Sequence, residues 1–256
     1  METEFIDLAG SLKSYLYRLT ASRQDAEDLL HDTYLRVRDK WHTFQGKSSF
    51  KTWVFAIATN LARDNQRVKK RWVLEVQDKC KGEAIANPAA ADRIVHAFQS
   101  QTEKTFEITE HINYCFTCIA KNLDLEKQIA IVLKEMYDFS RDEIGKILNV
   151  SEGVVKHLLF EGRKELQSKY QQRCALINKE GVCYQCAELN DFLQGKRDAE
   201  EKIKAMPFSR DKDADANLTV RFQLIHDINP LEGKGARVED VILQILNETL
   251  DREAGN

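Results

Sequence analysis

DAEDLLHDTYLRVRDKWHTFQGKSSFKTWVFAIATNLARDNQRVKKRW, residues 25–72, is the stretch from which the fold class is read. Ala26, Leu29, Leu30, Thr33, Tyr34 and Val37 recur at helical spacing, and Phe50, Trp53, Val54, Ile57 and Leu61 resume the pattern after an interruption. Two amphipathic helices therefore flank a loop at 41–49, where Gly46 and two serines favour a turn. No stretch alternates in period two for long, and only 3 prolines and 11 glycines interrupt the 256 residues. The expected fold class is all-α.

Single cores usually close at roughly 100–200 residues, so a chain of this length is expected to be modular. Residues 1–74 read as one compact helical unit. Residues 75–106, with Gly82, Pro88 and an alanine run of poor periodicity, read as a linker holding one short helix at most. A second unit spans 107–173, and an extension, 174–256, carries apolar helices at 218–225 and 238–250. Residues 1–10 hold Glu2, Glu4 and Asp7 and lack the basic and apolar parts of a signal peptide. No apolar run approaches the ~20 residues that span a bilayer. A cytoplasmic protein with no membrane partner is expected.

In the second unit, Ser140-Arg-Asp-Glu143 is a capping-box pattern, and Ser151 is placed to cap the next helix. Asn149-Val150 between them gives a short helix–turn–helix connection, asparagine being tolerant of positive φ. That geometry sends the start of the second helix into the major groove, making Glu152, Gly153, Lys156, His157 and Phe160 candidate base readers. Arg163 and Lys164 are better placed for phosphate. The competing reading is an ordinary charged surface helix.

The formal net charge of −3 is unusual for a lone DNA binder, since phosphate neutralisation supplies most non-specific affinity. Its distribution is less so: Arg63, Arg67, Lys69, Lys70 and Arg71 cluster, relieved only by Asp64. Beside them lies an aromatic-rich segment. Trp41 and Phe44, in or next to the loop, are suited to stacking on unpaired bases, while Phe50 and Trp53 are expected in the core.

Residues 25–72 resemble region 2 of extracytoplasmic-function sigma factors nearly end to end. Residues 125–166, with DFSRDEIGKILNVSEGVVKHLLFEGRKEL, resemble their region 4. Both occur in the family's order, separated by a linker. The resemblance implies a factor that binds core RNA polymerase through the β′ clamp and β flap and directs promoter recognition, opening and transcription initiation, without being an enzyme. Asp28, His31, Asp32 and Arg38 would then contact polymerase. Phe44 and Asn60 would capture flipped bases of the melted non-template strand at the minus-ten element, and Arg63, Arg67, Lys69 and Lys70 would hold adjacent phosphates. The helix at 151–168 would read the minus-thirty-five duplex. Polymerase would supply much of the DNA affinity, which accounts for the acidic balance. An anti-sigma or other protein regulator is a further partner the family admits. Without the resemblance, Asp25, Glu27, Asp28 and Asp32 would read as a solvated acidic face balanced by Arg36 and Arg38.

Cys115-Phe-Thr-Cys118 and Cys183-Tyr-Gln-Cys186 form two CxxC pairs that bracket the helix–turn–helix. A CxxC pair lets two thiolates meet one ion, and four soft donors suit tetrahedral zinc. The metal-ligand set is Cys115, Cys118, Cys183 and Cys186, with Cys174 or His111 as alternates, and the cofactor is Zn2+ in a structural or regulatory role. Ile112, Phe116, Ile119 and Leu123 form one apolar stripe with Cys115 and Cys118 beside it, so buried or redox-active thiols are the alternative. Some family members carry cysteine-rich C-terminal extensions that sense metals, and this chain is similar.

Two further readings compete: a conventional helix–turn–helix regulator, and a metal- or redox-responsive regulator without a sigma role. An enzyme has little support, since no phosphate-cradling glycine loop, HExxH or nucleophile–base set is present.

Overall fold

The structure is a computed structural model that describes residues 1–67, 72, 82–83, 85–99, 108–174, 177, 205–208, 212–233 and 236–254. Among these no strand occurs. Three helices, α1 (Glu2–Thr20), α2 (Arg23–Lys40) and α3 (Phe50–Arg67), make the first unit, with a 3₁₀ turn at Trp41–Thr43. Helix α4 (Pro88–Gln99) lies in the linker, and α5 (Ile108–Ala120) to α8 make the second unit. These continue as α6 (Leu125–Tyr137), α7 (Arg141–Leu148) and α8 (Glu152–Arg173). The extension contributes α9 (Ala214–Ile225) and α10 (Ala236–Ala254).

Local chemistry sets the helix ends. The Ser22 side chain accepts the Asp25 backbone N–H and starts α2, while Ala21, in left-handed geometry, ends α1. The expected capping box is present at α7: Ser140 caps Glu143, whose carboxylate accepts the Ser140 N–H at 2.9 Å. Asn149 closes α7 at φ 57°, and Ser151 caps α8 through the Val154 N–H. Gly145 admits this tight turn, since a Cβ there would stand 2.9 Å from the Val150 carbonyl oxygen.

The units share one apolar core. Leu12, Tyr15 and Leu16 of α1 and Phe55 of α3 are continuous with Phe116 of α5, Ile131 of α6 and Phe139. Phe222 of α9 and Leu246 of α10 join the same cluster. Phe55 packs on Phe139 with ring centroids 4.9 Å apart, so the first and second units meet directly. Arg18, 1 % exposed, ties three segments: it donates to Asn113 Oδ1 at 2.6 Å and to the Ile228 carbonyl at 2.8 Å. Modularity read along the chain is thus a matter of sequence segments, because in space their cores merge.

Candidate nucleic-acid interface

Helix α2 buries Ala26, Leu29, Thr33 and Val37 and turns its opposite face outward. Asp28, His31, Asp32 and Arg38 all stand on that exposed face, with Arg38 3.3 Å from Asp39. The core holds the helix by one stripe and leaves the charged stripe available to a partner.

At the C-terminal end of α2 the aromatics converge. Trp41 and Phe44 stack with centroids 5.6 Å apart, and Trp53 lies 5.0 Å from Phe44. Phe50 closes the group at 5.8 Å from Trp41. Phe50 and Trp53 pack against the core as expected, each of them half-buried at its edge. Their apolar stripe reaches the rim of the unit, where Trp41, 40 % exposed, offers a ring face.

One helix face further along α3, Asn60 is exposed and accepts from Arg63 Nη1 at 3.1 Å. Arg63 itself is engaged: its Nε and Nη2 donate to Glu126 of α6 at 2.9 and 2.6 Å. Arg67 is exposed beside Asp64. Lys69 and Lys70 lie outside the described residues.

On α8, Glu152, Gly153, Lys156, His157, Phe160 and Lys164 are exposed, while Val155 and Leu166 anchor the helix in the core. Packing does not demand glycine at 153, where a Cβ would meet nothing nearer than Ser151 Oγ at 3.8 Å. Gly162 differs: a Cβ there would press on Ile131 at 3.0 Å, so it sets the approach of α8 to α6. Arg163 is held by Glu135 at 2.6 Å, by Asp215 at 3.0 Å and by Thr219 at 2.9 Å, over the Phe222 ring.

Cys115 and Cys118 are buried on α5, as their place beside the apolar stripe leads one to expect. Cys174 ends α8, and its sulfur accepts from Arg221 Nη2 at 3.1 Å. Arg221 is 1 % exposed and lies between Tyr170, 3.9 Å from its ring centroid, and Phe208 at 5.0 Å. Arg221 Nη1 and the Tyr170 hydroxyl are buried without a hydrogen-bond partner among the described residues. Burial, and secondarily the Arg221 charge, push the pKa of His111 down to about 4, so its imidazole is neutral at pH 7. Cys183 and Cys186 lie outside the described residues, and among the described residues no three His, Cys, Asp or Glu side chains gather as a metal site.

Two family models match this chain: sigma-70 region 2 over residues 6–72, and sigma-70 region 4 over 115–166. The ECF RNA polymerase sigma factor SigX of Bacillus subtilis is 27 % identical over 164 residues, 61 % of this chain and 76 % of SigX. SigW of the same organism is 30 % identical over 171 residues, 64 % of this chain and 88 % of SigW. This chain belongs to the ECF RNA polymerase sigma factors. A solved structure of the sigma factor RpoE in complex with the anti-sigma factor NepR from Bartonella quintana is 19 % identical. It matches with a TM-score of 0.46 over 66 % of this chain and 96 % of that one.

Membership in the sigma factors gives the two matched spans their places: α1 to α3 are region 2, and α7 and α8 form the helix–turn–helix of region 4. Helices α9 and α10 lie beyond both matches. Sequence reasoning missed Arg18, Lys121 and Arg221, three buried cations. Lys121 Nζ donates to Gln66 Oε1 at 2.8 Å and to the Thr20 carbonyl, linking α5 to region 2. Their acceptors stand far away in the chain, and no local signal marks them.

Proposed function

We propose that this sigma factor docks on core RNA polymerase through the exposed face of α2, with Asp28, His31, Asp32 and Arg38 as its contacts, and carries polymerase to promoters. The observation that carries this reading is the pairing, in family order, of a charged outward α2 face with an outward α8 reading face. Glu152, Gly153, Lys156, His157 and Phe160 read the upstream duplex, and Arg163 and Lys164 hold its phosphates. Trp41 and Phe44 stack on bases released at the minus-ten element, Asn60 captures one by its amide, and Arg63, Arg67, Lys69 and Lys70 hold neighbouring phosphates. The half-buried aromatic group at 41–53 supports that role, because a ring fixed by its neighbours is ready to receive a base. The protein acts by binding and strand separation and makes or breaks no covalent bond, and it works in the cytoplasm, where polymerase is. Among the described residues no helix is long and apolar enough to cross a membrane. Reconstituted transcription with core polymerase across a promoter library tests this: defined start sites that depend on the chain support it, and their absence refutes it.

We further infer a zinc centre built on Cys115, Cys118, Cys183 and Cys186, with Cys174 or His111 as alternates. Two buried thiols on one helix and a neutral imidazole one turn away have the donor chemistry zinc needs. The buried, unsatisfied Nη1 of Arg221 and hydroxyl of Tyr170 beside Cys174 suit a negatively charged thiolate centre. Bound there, zinc supplies a crosslink between α5 and the extension. The described residues do not gather three ligands by themselves, so the centre depends on the second CxxC pair.

A further inference from the structure

Of the three arginines assigned to promoter phosphates, Arg63 and Arg163 have their guanidinium forks occupied by carboxylates from other helices of the protein. Arg163 of α8 is gripped on one side by Glu135 within region 4 and on the other by Asp215 of the extension. Asp215 Oδ1 also accepts from Gln167 Nε2 at 2.7 Å, so one carboxylate of α9 lies across two polar residues of the helix–turn–helix. Arg63 of region 2 is likewise paired with Glu126 of region 4. A carboxylate on an arginine fork has the charge and bidentate geometry of a phosphate.

Among the described residues the extension also contacts region 2, the linker helix and region 4. On region 2, Arg23 donates to the Leu231 carbonyl at 3.2 Å, and Asn247 accepts from Trp72 Nε1 and donates to the Ala21 carbonyl. On the linker helix, Arg93 pairs with Glu248 at 2.7 Å. On region 4, Phe222 meets Phe116 edge-on at 5.8 Å, and His226 reaches Asp138 at 2.9 Å. Regions 2 and 4 touch directly as well: Thr52 donates to Glu143 at 3.2 Å, and Lys51 to the Tyr137 carbonyl at 3.2 Å. The minus-ten and minus-thirty-five elements lie about 25 base pairs apart, roughly 85 Å of duplex at ~3.4 Å per base pair. Regions in hydrogen-bond contact cannot read both at once.

We propose that α9 and α10 are a built-in inhibitor of promoter binding, holding regions 2 and 4 closed on each other with Asp215 in the place of a DNA phosphate on Arg163. This rests on the promoter-reading role of α8. The closed form leaves the α2 face exposed, so polymerase can dock first and pull the regions apart afterwards. Free sigma factor is thereby kept off DNA, and the assembled holoenzyme is not.

The test uses the full chain, alone and with core polymerase, and a fluorescent duplex spanning the upstream half of a promoter that the holoenzyme transcribes. Asp215→Ala is expected to raise the affinity of the free chain for this duplex about tenfold and to steepen the salt dependence by about one phosphate contact. Asp215→Ala combined with Asn247→Ala is expected to enlarge the radius of gyration in X-ray scattering, with helicity retained. Free variants that keep their helicity, bind duplex no better than the unsubstituted chain and stay as compact overturn the inhibitor while transcription by the holoenzyme persists. If no promoter is transcribed with the unsubstituted chain, the promoter-reading assignment falls and the inhibitor with it.

Discussion

Arg63 donates from Nε and Nη2 to the two carboxylate oxygens of Glu126, at 2.9 and 2.6 Å, joining α3 of region 2 to α6 of region 4. The Arg63 side chain is 18 % exposed and that of Glu126 43 %, so solvent screens the pair. Glu126→Gln should therefore lower stability by less than ~1 kcal/mol in urea denaturation. A loss of several kcal/mol would make the pair a structural keystone and remove Arg63 from the phosphate contacts.

Trp41→Ala and Phe44→Ala should impair promoter opening while leaving upstream duplex binding intact. Stacking on an aromatic is worth ~1–3 kcal/mol per base, so open complexes should fall about 5- to 150-fold. Permanganate reactivity of the melted strand, read beside gel shifts, separates the two steps. Equal losses in both would mean the aromatic group supports the fold instead.

Glu143 links acidity to the region 2–region 4 contact. Hydrogen bonds from the Ser140 backbone and hydroxyl, and then from Thr52, hold its carboxyl below the usual value of 4.5. A depressed folded-state pKa gives stability that is present above pH 4.5 and lost as pH falls through the folded value. Thermal melts should show this loss on acidification, and Glu143→Gln should flatten it. An unchanged acid profile in that variant would mean that the capping box does not govern this transition.

Native protein purified without chelator should hold close to one equivalent of zinc, and Cys115→Ser should release it. Elemental analysis measures both. Hydrogen exchange should then quicken first in α5 and α9, which meet through Phe116 and Phe222. Metal-free native protein would return these cysteines to core packing or redox chemistry.

Much of region 4 was legible in sequence because its signals are local. Ser140, Glu143, Asn149 and Ser151 act on backbone groups within a few residues, and each stands where its chemistry requires. The outward residues of α2 and α8 were legible for the same reason, since helical period assigns them a face. Phe50 and Trp53 pack on the core as their period implies, but period tells which stripe a residue joins and not that this stripe ends half-buried at a rim. Arg18 was hidden for another reason: its acceptors, Asn113 and Ile228, are 95 and 210 residues away. Nothing near Arg63 or Arg163 in sequence announces that a carboxylate brought by the fold will occupy its fork.

The most direct measurement is a titration of labelled full-length chain with core RNA polymerase, set beside the same titration of Asp28→Lys combined with Asp32→Lys. Both aspartates are exposed on α2, so the substitutions should leave folding unchanged. The expected result is saturable binding by the unsubstituted chain and at least a tenfold weaker complex for the variant, about 1.4 kcal/mol. Equal affinity of the two would contradict docking through α2, and no complex with either would contradict a sigma role for this chain.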